Sequence, residues 1–503
     1  MNTQNLNQTP VLVVGAGIMG AGIVQIAAQA GHPVMLFDTR ENAAAQAREQ
    51  LATTFDKLVD KGKLSAEAAS AALQRIQPIN ALEQAANAGL VVEAILENLE
   101  IKRGLFQQLE GIVSPECILA TNTSSISVTA IANGLQRPQR LVGMHFFNPV
   151  PLMKLVEVVS GLQTDKAVAE TTFALSKSWG KTPVYAKSTP GFIVNRIARP
   201  YYAETLALLQ EQAATPAVLD ACLRAAGFRM GPCELMDLIG HDTNFSVTRS
   251  VYEANFYDKR FVPSLVQKEL VDGGLLGRKS GHGFYDYRAG AVKPELPSHN
   301  PVELPEIPAM TLCGTGRVAE LLSERLQHSG AAYRQETASP WVGLRLGNAE
   351  LRLSDGRTAS QLGKNIAVFD LPISKQSGAT LAWAASKHSD AAWQTQVAQC
   401  LQALGFNPLQ IADTPGLVVA RTIAMLINEA ADAVQQGVCT PEGADAAMKL
   451  GVNYPAGPFE WLAEWDSNAV INLLEALDEH YRGERYRVSP YLRASRVVQE
   501  EAA

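Results

Sequence analysis

Short apolar, β-branched runs alternate with longer amphipathic stretches from Val11 to Lys187. This alternation is typical of a mostly parallel sheet that is covered by helices, so residues 1–187 are predicted to form a doubly wound α/β domain. Residues Arg40–Ile76 are predicted to form two helices joined by a turn at Lys61-Gly62-Lys63. The predicted strands are Val11–Val14, Val34–Asp38, Leu90–Ala94, Ile118–Thr121, Leu141–Phe146 and Val184–Ala186.

Helical periodicity replaces the strands after Ser188 and continues to about Asp286. Residues 188–287 are therefore predicted to form a second, all-α domain. Five prolines follow within residues 288–308, a composition that predicts an extended connector rather than a packed element.

The rest of the chain repeats the first two parts in reduced form. A strand at Met310–Cys313, a glycine loop and a helix over Val318–Gln327 predict a reduced dinucleotide-fold domain at 309–410. Thr189-Pro190-Gly191 recurs as Thr414-Pro415-Gly416, and Gly231-Pro232 recurs as Gly457-Pro458, so the two offsets differ by a single position. Residues 411–503 are therefore predicted to be a second all-α copy.

Composition narrows the class of protein. The chain is 47% hydrophobic and 18% charged, and its net charge of -7 provides no basic field for nucleic acid. Val11–Gly31 is uncharged, but its glycines and strand-like start argue against a membrane segment. The six cysteines form no C-x-x-C pair, so we expect no metal site, no disulfide framework and a cytoplasmic location.

The first glycine loop, Gly15-Ala16-Gly17-Ile18-Met19-Gly20, lies between a predicted strand and a helix. Gly15 permits the tight turn, Gly17 lets the backbone approach a pyrophosphate, and Gly20 lets the helix pack close to the strand. The start of the helix then offers free N–H groups to the phosphates. The loop predicts a bound dinucleotide.

Asp38 stands at the end of the next predicted strand. In dinucleotide-binding folds an acid about 20 residues after the glycine loop accepts hydrogen bonds from the adenosine ribose. A carboxylate there also repels a 2′-phosphate, which favours NAD over NADP. Arg40 leaves the alternative open, because an arginine could accommodate that phosphate.

The second glycine loop, around Gly314 and Gly316, lacks such an acid. The next predicted strand, near Ala331–Tyr333, ends in Arg334-Gln335. This difference favours a loop that binds nothing.

His145 ends a predicted strand of the sheet domain, where ligands of such sheets bind. A histidine satisfied by backbone within the core is the ordinary alternative. Glu157 lies twelve residues later in an apolar run, where an unpaired carboxylate would be costly. A buried glutamate that accepts from the imidazole would fix its tautomer and raise its basicity, as a general base requires.

Several segments together resemble the L-3-hydroxyacyl-CoA dehydrogenases, over residues 11 to about 287. The resemblance implies a Rossmann-type NAD domain followed by the family's helical domain, and an acyl-CoA thioester as the substrate. The segments are the glycine loop, Val92-Glu93-Ala94-Ile95-Leu96-Glu97-Asn98, Asn122-Thr123-Ser124-Ser125, His145-Phe146-Phe147-Asn148-Pro149, Thr189-Pro190-Gly191-Phe192-Ile193-Val194-Asn195-Arg196 and Gly277-Arg278-Lys279-Ser280-Gly281.

The resemblance also implies roles for individual residues. His145 would take the proton of the substrate hydroxyl, with Glu157 as its carboxylate partner, while hydride passes to the nicotinamide. Ser124 and Asn195 would bind the substrate oxygen, and Lys61 would contact the CoA moiety. The implied cofactor contacts, besides the loop glycines and Asp38, are Ile18, Met19, Glu97, Lys102, Asn122, Asn148 and Lys279.

Four of these residues have ordinary structural alternatives. Ser124 could cap the helix that follows its strand, which is a routine task for serine. Lys61, Lys102 and Lys279 could each be a solvated surface charge.

The duplicated half is not expected to hold a second active site. At the position that matches Asn195 it has Ala420, and no His-Phe-Phe-Asn-Pro segment or partner glutamate precedes it. The second helical copy could instead pack against the first and mimic, within one chain, the dimer of simpler family members. The sequence leaves open whether the chain also forms a homo-oligomer.

The resemblance implies NAD-dependent oxidation of an L-3-hydroxyacyl-CoA to the 3-oxoacyl-CoA. The four-part layout resembles the bacterial 3-hydroxyadipyl-CoA dehydrogenases of phenylacetate breakdown, with a 3-hydroxybutyryl-CoA or general short-chain enzyme as the alternative. A remoter alternative is a nicotinamide-binding protein without turnover. A dicarboxylic acyl chain would need a cation near its distal end, and Arg196, Arg199 and Arg229 are candidates.

Overall fold

The computed structural model describes residue 6 and residues 8–292, 294–296 and 310–494. The chain forms two compact units. The first contains Met1–Arg196 with Gln436–Val452, and the second contains Ile197–Gln435 with Asn453–Ala503. Most of the proline-rich connector predicted at 288–308 lies outside the described residues.

An eight-stranded sheet forms the centre of the first unit, in the order β3-β2-β1-β4-β5-β6-β7-β8. The first six strands of that order run parallel to one another. Strand β7 runs antiparallel to β6, and β8 runs parallel to β7. The strands are β1 Val11–Val14, β2 Val34–Phe37, β3 Ile76–Pro78, β4 Leu90–Glu93, β5 Ile118–Thr121, β6 Leu141–Phe146, β7 Leu155–Ser160 and β8 Thr182–Lys187.

Every residue of β1, β4, β5 and β6 is buried, as expected for strands covered on both faces. The helices of this part of the chain are α1 Ile18–Gln29, α2 Ala43–Asp60, α3 Ala66–Gln74, α4 Leu99–Glu110, α5 Val128–Ala132, α6 Lys166–Ser178 and α7 Val194–Ile197. The doubly wound α/β prediction is confirmed, and so is the pair of helices on either side of Lys61–Lys63. Neither β3 nor β7 was predicted.

The second unit contains a smaller sheet of seven strands, in the order β10-β9-β11-β12-β13-β14-β15. A glycine loop joins β9 to the next helix, as predicted, but β11 runs antiparallel to both of its neighbours. The strands are β9 Met310–Cys313, β10 Arg334–Glu336, β11 Gly343–Leu346, β12 Ala349–Leu353, β13 Ile366–Phe369, β14 Ala379–Ala385 and β15 Phe406–Gln410.

The position predicted for β10 is wrong. The preceding helix continues to His328, so Ala331–Tyr333 connects the helix to a strand that starts only at Arg334 and ends in an acid, Glu336. The N–H of Gly314 donates to the carbonyl of Glu336, as the N–H of Gly15 donates to that of Phe37. Thr337 is therefore the counterpart of Asp38, and the carboxylate of Glu336 binds Arg345 instead.

Helices make up most of the remaining chain. They are α8 Arg199–Gln210, α9 Pro216–Ala225, α10 Pro232–Ile239, α11 His241–Ala254, α12 Leu265–Asp272, α13 Arg317–His328, α14 Ala359–Leu362, α15 Ala391–Ala403, α16 Val419–Gln435, α17 Pro441–Val452, α18 Pro458–Glu464 and α19 Ser467–Tyr481. None of the helices in the described part of the chain combines the length and apolar character that a membrane span requires.

The two helical copies pack against each other within the second unit, chiefly through α8 and α16. Their ion pairs are reciprocal. Arg260 of the first copy binds Glu429 of the second, and Arg485 of the second binds Glu204 of the first. The offset that relates Thr189 to Thr414 also relates Arg260 to Arg485 and Glu204 to Glu429. Such exchange is the property of an isologous interface, here formed inside one chain.

Candidate active site

The glycine loop between β1 and α1 has the geometry that a dinucleotide needs. Gly15 has φ +109°, and a Cβ there would lie 2.4 Å from the carbonyl oxygen of Ala94. A Cβ on Gly20 would lie 1.8 Å from the carbonyl oxygen of Gly15, whereas no described atom lies within 4 Å of one on Gly17. Gly15 and Gly20 therefore allow close packing, and Gly17 leaves open space where a pyrophosphate would approach.

Asp38 closes the loop from the end of β2. One carboxylate oxygen accepts the N–H of Ala16 at 2.8 Å, and Arg40 donates to both oxygens at 3.0 Å. The hydrogen bonds from Arg40 lower the pKa of Asp38 to about 2, against the opposing effect of burial. The carboxylate is therefore charged, and the guanidinium that could bind a 2′-phosphate is engaged with it.

A cavity of about 880 Å³ opens beside this loop. Gly15, Gly17 and Asp38 line one part of it, and apolar side chains such as Leu82, Leu96 and Ile101 line another. A charged acceptor at one end and apolar walls for a planar ring fit the adenosine half of NAD. Ile18 is 78% exposed, and the neighbouring Met19 is half-buried.

His145 and Glu157 face each other across β6 and β7. The register pairs the two residues directly, and Nδ1 of His145 lies 2.5 Å from Oε2 of Glu157. The other oxygen of Glu157 accepts the N–H groups of Ile193 and Val194, at 3.0 and 2.9 Å. Since Glu157 is fully buried, these three donors satisfy a carboxylate that would otherwise be costly in the interior.

Two aromatic rings flank the imidazole. The ring centroids of Phe147 and Phe192 lie 4.5 and 5.8 Å from that of His145. Because Nδ1 donates to Glu157, the proton-accepting nitrogen of the neutral ring is Nε2. The arrangement supplies one oriented base in a largely apolar setting.

Glu97 organises the loop that follows β5. One of its oxygens accepts from the hydroxyl of Thr123 and from the N–H groups of Ser124 and Ser125. Burial raises the pKa of Glu97, but the charge of Lys102 and the loop hydroxyls outweigh burial and leave the pKa below its usual value. Glu97 thus holds in place the loop that contains Ser124.

Ser124 does not cap the next helix, so that alternative is wrong. The cap of α5 is Ser127, whose hydroxyl accepts the N–H of Ala130. The side chain of Asn195 donates to the carbonyl of Ser124 at 3.3 Å, which brings together the two residues predicted to bind the substrate oxygen. Asn195 directly follows Val194, whose N–H binds Glu157.

Lys102 is not a solvated surface charge, because its side chain is only 1% exposed. Its amine donates to Glu93 at 2.6 Å and lies 3.2 Å from Glu97. Glu93 also accepts the hydroxyl of Thr121 at 2.6 Å. No role was predicted for Glu93. It shows the same sequence pattern as Glu157, because it is an acidic residue within an apolar strand.

The remaining predicted contacts are more dispersed. Asn122 accepts the N–H of Phe146 through its side-chain oxygen, next to His145. Asn148 is exposed and precedes a cis proline, and Lys61 is exposed in the turn after α2. Lys279 lies in the second unit, where it pairs with Asp242.

The three arginines proposed for a distal carboxylate differ in exposure. Arg196 is 3% exposed and donates to the side chain of Gln436 at 2.8 Å. Arg199 is also buried and donates to the hydroxyl of Thr248, whereas Arg229 is exposed.

The smaller sheet, all of whose strands are described, has no equivalent of the His145–Glu157 pair. Asp370 occupies the position of His145, and its N–H donates to the carbonyl of Ala382 on the next strand. Ala382 occupies the position of Glu157. Glu157 pairs with Val184 on the next strand, and Ala382 pairs in the same way with Leu409. The offset that relates Thr189 to Thr414 relates both members of one pair to those of the other.

Asp370 nevertheless keeps one part of the arrangement. Its carboxylate accepts the N–H groups of Val418, Val419 and Ala420. The carboxylate that caps the helical copy is therefore present in both halves, but the imidazole is absent from this one.

Models of known protein families match most of the chain. The 3-hydroxyacyl-CoA dehydrogenase NAD binding domain matches residues 10–189, and the C-terminal domain of the same family matches residues 191–287 and again 416–500. The 3-hydroxybutyryl-CoA dehydrogenase reduced Rossmann-fold domain matches residues 351–415. The four-part layout and the duplication are thereby confirmed.

Individual relatives agree with this result. The 3-hydroxyadipyl-CoA dehydrogenase of Escherichia coli is 44% identical over 98% of both chains, and a probable 3-hydroxybutyryl-CoA dehydrogenase of Bacillus subtilis is 40% identical over 55% of this chain and 96% of its own. A crystal structure of 3-hydroxybutyryl-CoA dehydrogenase from Escherichia coli superposes with a TM-score of 0.88 at 43% identity and covers 99% of this chain and 100% of its own. The chain belongs to the 3-hydroxyacyl-CoA dehydrogenase family, and its first domain is an NAD-binding domain.

Proposed function

We propose that this dehydrogenase oxidises L-3-hydroxyadipyl-CoA to 3-oxoadipyl-CoA in phenylacetate breakdown. The observation that supports this substrate is the extent of similarity. The relative named for 3-hydroxyadipyl-CoA matches this chain over 98% of both lengths, whereas the Bacillus subtilis enzyme named for 3-hydroxybutyryl-CoA covers only 55% of it. The reduced Rossmann domain and the second helical copy are thus shared with the relative named for the longer, dicarboxylic substrate, and also with the Escherichia coli crystal structure named for 3-hydroxybutyryl-CoA.

His145 is proposed as the general base. Its Nε2 takes the proton of the 3-hydroxyl group, while Glu157 holds the ring in the tautomer that keeps Nε2 free and stabilises the imidazolium that forms. Bound NAD would supply the acceptor for the hydride of C3, the carbon that carries this hydroxyl group. Asp38 selects NAD, because its carboxylate binds the ribose hydroxyls and repels a 2′-phosphate.

Ser124 and Asn195 are proposed to hydrogen-bond the substrate oxygen. Their contribution is orientation and polarisation, since the loop that contains Ser124 is fixed by Glu97 and by the side chain of Asn195 itself. Glu97, Lys102, Asn122, Asn148 and Lys279 are proposed as cofactor contacts, and Lys61 as a contact to the CoA moiety. The free cysteines support a cytoplasmic location.

A short-chain substrate is the second candidate. The similar Escherichia coli crystal structure is named for 3-hydroxybutyryl-CoA, which differs from the adipyl thioester by one methylene and the distal carboxylate. The two candidates therefore differ chiefly in whether the protein recognises that charge.

The test compares NADH formation from 3-hydroxyadipyl-CoA, from its distal methyl ester and from 3-hydroxybutyryl-CoA. A hydrogen-bonded charge contributes about 1.5–3 kcal/mol, so kcat/KM for the free acid should exceed that for the ester by about tenfold or more. The ester is the matched control, because it keeps the chain length and removes the charge. Equal kcat/KM for all three thioesters would contradict the adipyl proposal.

A further inference from the structure

One segment of the second helical copy lies outside the unit that holds its neighbours in sequence. Residues Gln436–Val452, which connect α16 to α18 and include α17, belong to the first unit, where α17 packs against β7 and β8. The duplicated half therefore contributes part of the unit that contains His145 and Glu157.

Two hydrogen bonds fix the start of this segment. The N–H of Lys187, the last residue of β8, donates to the carbonyl of Val438 at 2.9 Å. Arg196 donates to the side-chain oxygen of Gln436 at 2.8 Å. Burial, together with the negative charge of Glu157, raises the pKa of the Cys439 thiol to about 12.

The end of α17 packs against the residues that surround the catalytic pair. Gly451 is buried, and a Cβ there would lie 2.6 Å from Cδ2 of Leu155, 3.0 Å from Cγ2 of Val194 and 3.7 Å from Cε1 of Phe147. Each neighbour touches the site. Leu155 shares a strand face with Glu157, Val194 donates its N–H to Glu157, and the Phe147 ring lies 4.5 Å from the ring of His145.

The corresponding helix of the first helical copy differs at the position of Gly451. That helix, α9, packs on β14 of the smaller sheet, where Ala382 stands in place of Glu157. With either of the offsets that relate the repeated turn motifs, the position that matches Gly451 is an alanine, Ala226 or Ala225. Glycine thus occurs on the helix that packs beside the imidazole, and alanine on the helix that packs beside the inactive strand.

We propose that residues 436–452 are a positioning element of the active site, and that Gly451 keeps the space in which Phe147 and Leu155 hold His145 and Glu157 in register. This inference rests on the proposed role of His145 as the base. The second half of the chain then has a task in the reaction although no catalytic role is proposed for any of its described residues.

The test is Gly451→Ala, with Gly443→Ala in the same helix as the matched control. A Cβ at Gly443 meets only the Thr440 hydroxyl at 3.3 Å and Cβ of Cys439 at 3.7 Å among the described atoms. Displacement of a catalytic group by a fraction of an ångström is expected to lower kcat about tenfold or more and to shift the pH profile of kcat/KM. The dissociation constant for NADH should match that of the control.

A second substitution tests the mechanism of the effect. Leu155→Val removes Cδ2, the atom nearest to the added methyl group, and keeps an apolar side chain beside Glu157, so the double variant should regain part of the kcat that Gly451→Ala loses. If Gly451→Ala does not fold, Gln436→Ala, which removes a side-chain bond to Arg196, should lower kcat severalfold with unchanged NADH affinity. Wild-type-like kcat and pH profile in the folded variant would overturn the inference.

An error in the proposed function would give a different experimental outcome from an error in this inference. A wild-type enzyme without NADH formation from any 3-hydroxyacyl-CoA would contradict the function itself. An active wild type with identical behaviour of Gly451→Ala and Gly443→Ala would overturn only the role of residues 436–452.

Discussion

The two oxygens of Glu157 have different partners, and this division explains why a buried carboxylate is tolerated beside a histidine. One oxygen accepts the imidazole N–H and the other accepts two backbone N–H groups at the start of α7. A second buried pair, His241 with Asp237 at 2.8 Å, occurs in the helical domain. A histidine–carboxylate contact is therefore not by itself evidence of catalysis, and the position of His145 at a strand end of the NAD-binding domain distinguishes the two pairs.

Asp38 gives a prediction about cofactor choice. Asp38→Ala should lower kcat/KM for NAD by about ten- to a hundredfold, because a hydrogen bond to a charged acceptor is lost, and should raise NADP use by freeing Arg40. Because the pKa of Asp38 is about 2 and the 2′-phosphate of NADP titrates at about pH 6, the wild-type preference for NAD should not change between about pH 7.5 and pH 9.

The control for this variant is Asp56→Ala, on the exposed face of α2. Unchanged NAD and NADP kinetics in Asp38→Ala would contradict the assignment of this carboxylate to the ribose.

Residue patterns predicted the pairing of His145 with Glu157 better than they predicted its surroundings. Glu157 was predictable because an acid in an apolar run needs a partner, and His145 because it ends a strand. The partners of Lys102 were not predictable, since a lysine nine residues after Glu93 on a helix has the same pattern whether its amine points to solvent or inward. The structure shows that it points inward.

At the scale of secondary-structure elements, strand β7 determines the geometry of the His145–Glu157 pair. Its antiparallel pairing with β6 places Glu157 directly opposite His145, whereas a parallel strand would need a long crossover before it could pair. Only eight residues separate the apolar run Leu155–Ser160 from β6, too few for a parallel crossover, so the sequence indicates the direction of β7. It contains no signal for the register. The start of β10 was mispredicted for a related reason, because the length of α13 decides where that strand begins.

Asp370 provides a pH-dependent prediction for the smaller sheet. Burial raises the pKa of Asp370 to about 6, against 3.8 as its ordinary value. The folded protein then keeps a proton that the unfolded chain releases, so the free energy of unfolding should fall as the pH rises from about 4 to 6. The loss should reach about 3 kcal/mol at most, and Asp370→Asn should not show it.

Chemical unfolding at several pH values measures this difference. Asp390→Asn, at an exposed position of the same domain, is the control and should follow the wild-type curve. A wild-type curve parallel to that of Asp370→Asn would contradict the prediction.

At the scale of the whole molecule, a buried network of charged side chains connects the two helical copies. Glu204 is fully buried and accepts from Arg421, Arg485 and Tyr486. Burial raises the pKa of Glu204, but the two arginines outweigh burial and lower it. A network of this kind specifies how the copies align, because each charge needs a partner from the other copy.

Glu204→Gln should therefore lower the free energy of unfolding by about 3–5 kcal/mol, because it leaves buried arginines without their carboxylate. This loss should not depend on protein concentration, since both partners belong to one chain. Glu253→Gln, which removes an exposed ion pair with Arg249, should change stability by less than about 1 kcal/mol. Equal losses in the two variants would contradict the role of the network.

The duplication was predictable from the sequence, because two turn motifs recur at nearly the same offset. The assignment of Gln436–Val452 to the first unit was not. The corresponding residues of the first copy have the same helical pattern but pack on the other sheet. The choice of sheet therefore depends on how the copies pack together, and no local sequence signal indicates it.

The role of His145 as the base can be measured by NADH formation from 3-hydroxyadipyl-CoA with the wild type, His145→Asn and His32→Asn. His32 is a buried histidine of the same domain that binds the carbonyl of Thr9, before the first strand. Loss of the general base should lower kcat of His145→Asn by about 10²–10⁴-fold with NAD affinity retained, while His32→Asn keeps most of its turnover. Turnover of His145→Asn close to that of the wild type would contradict the assignment of His145 as the base.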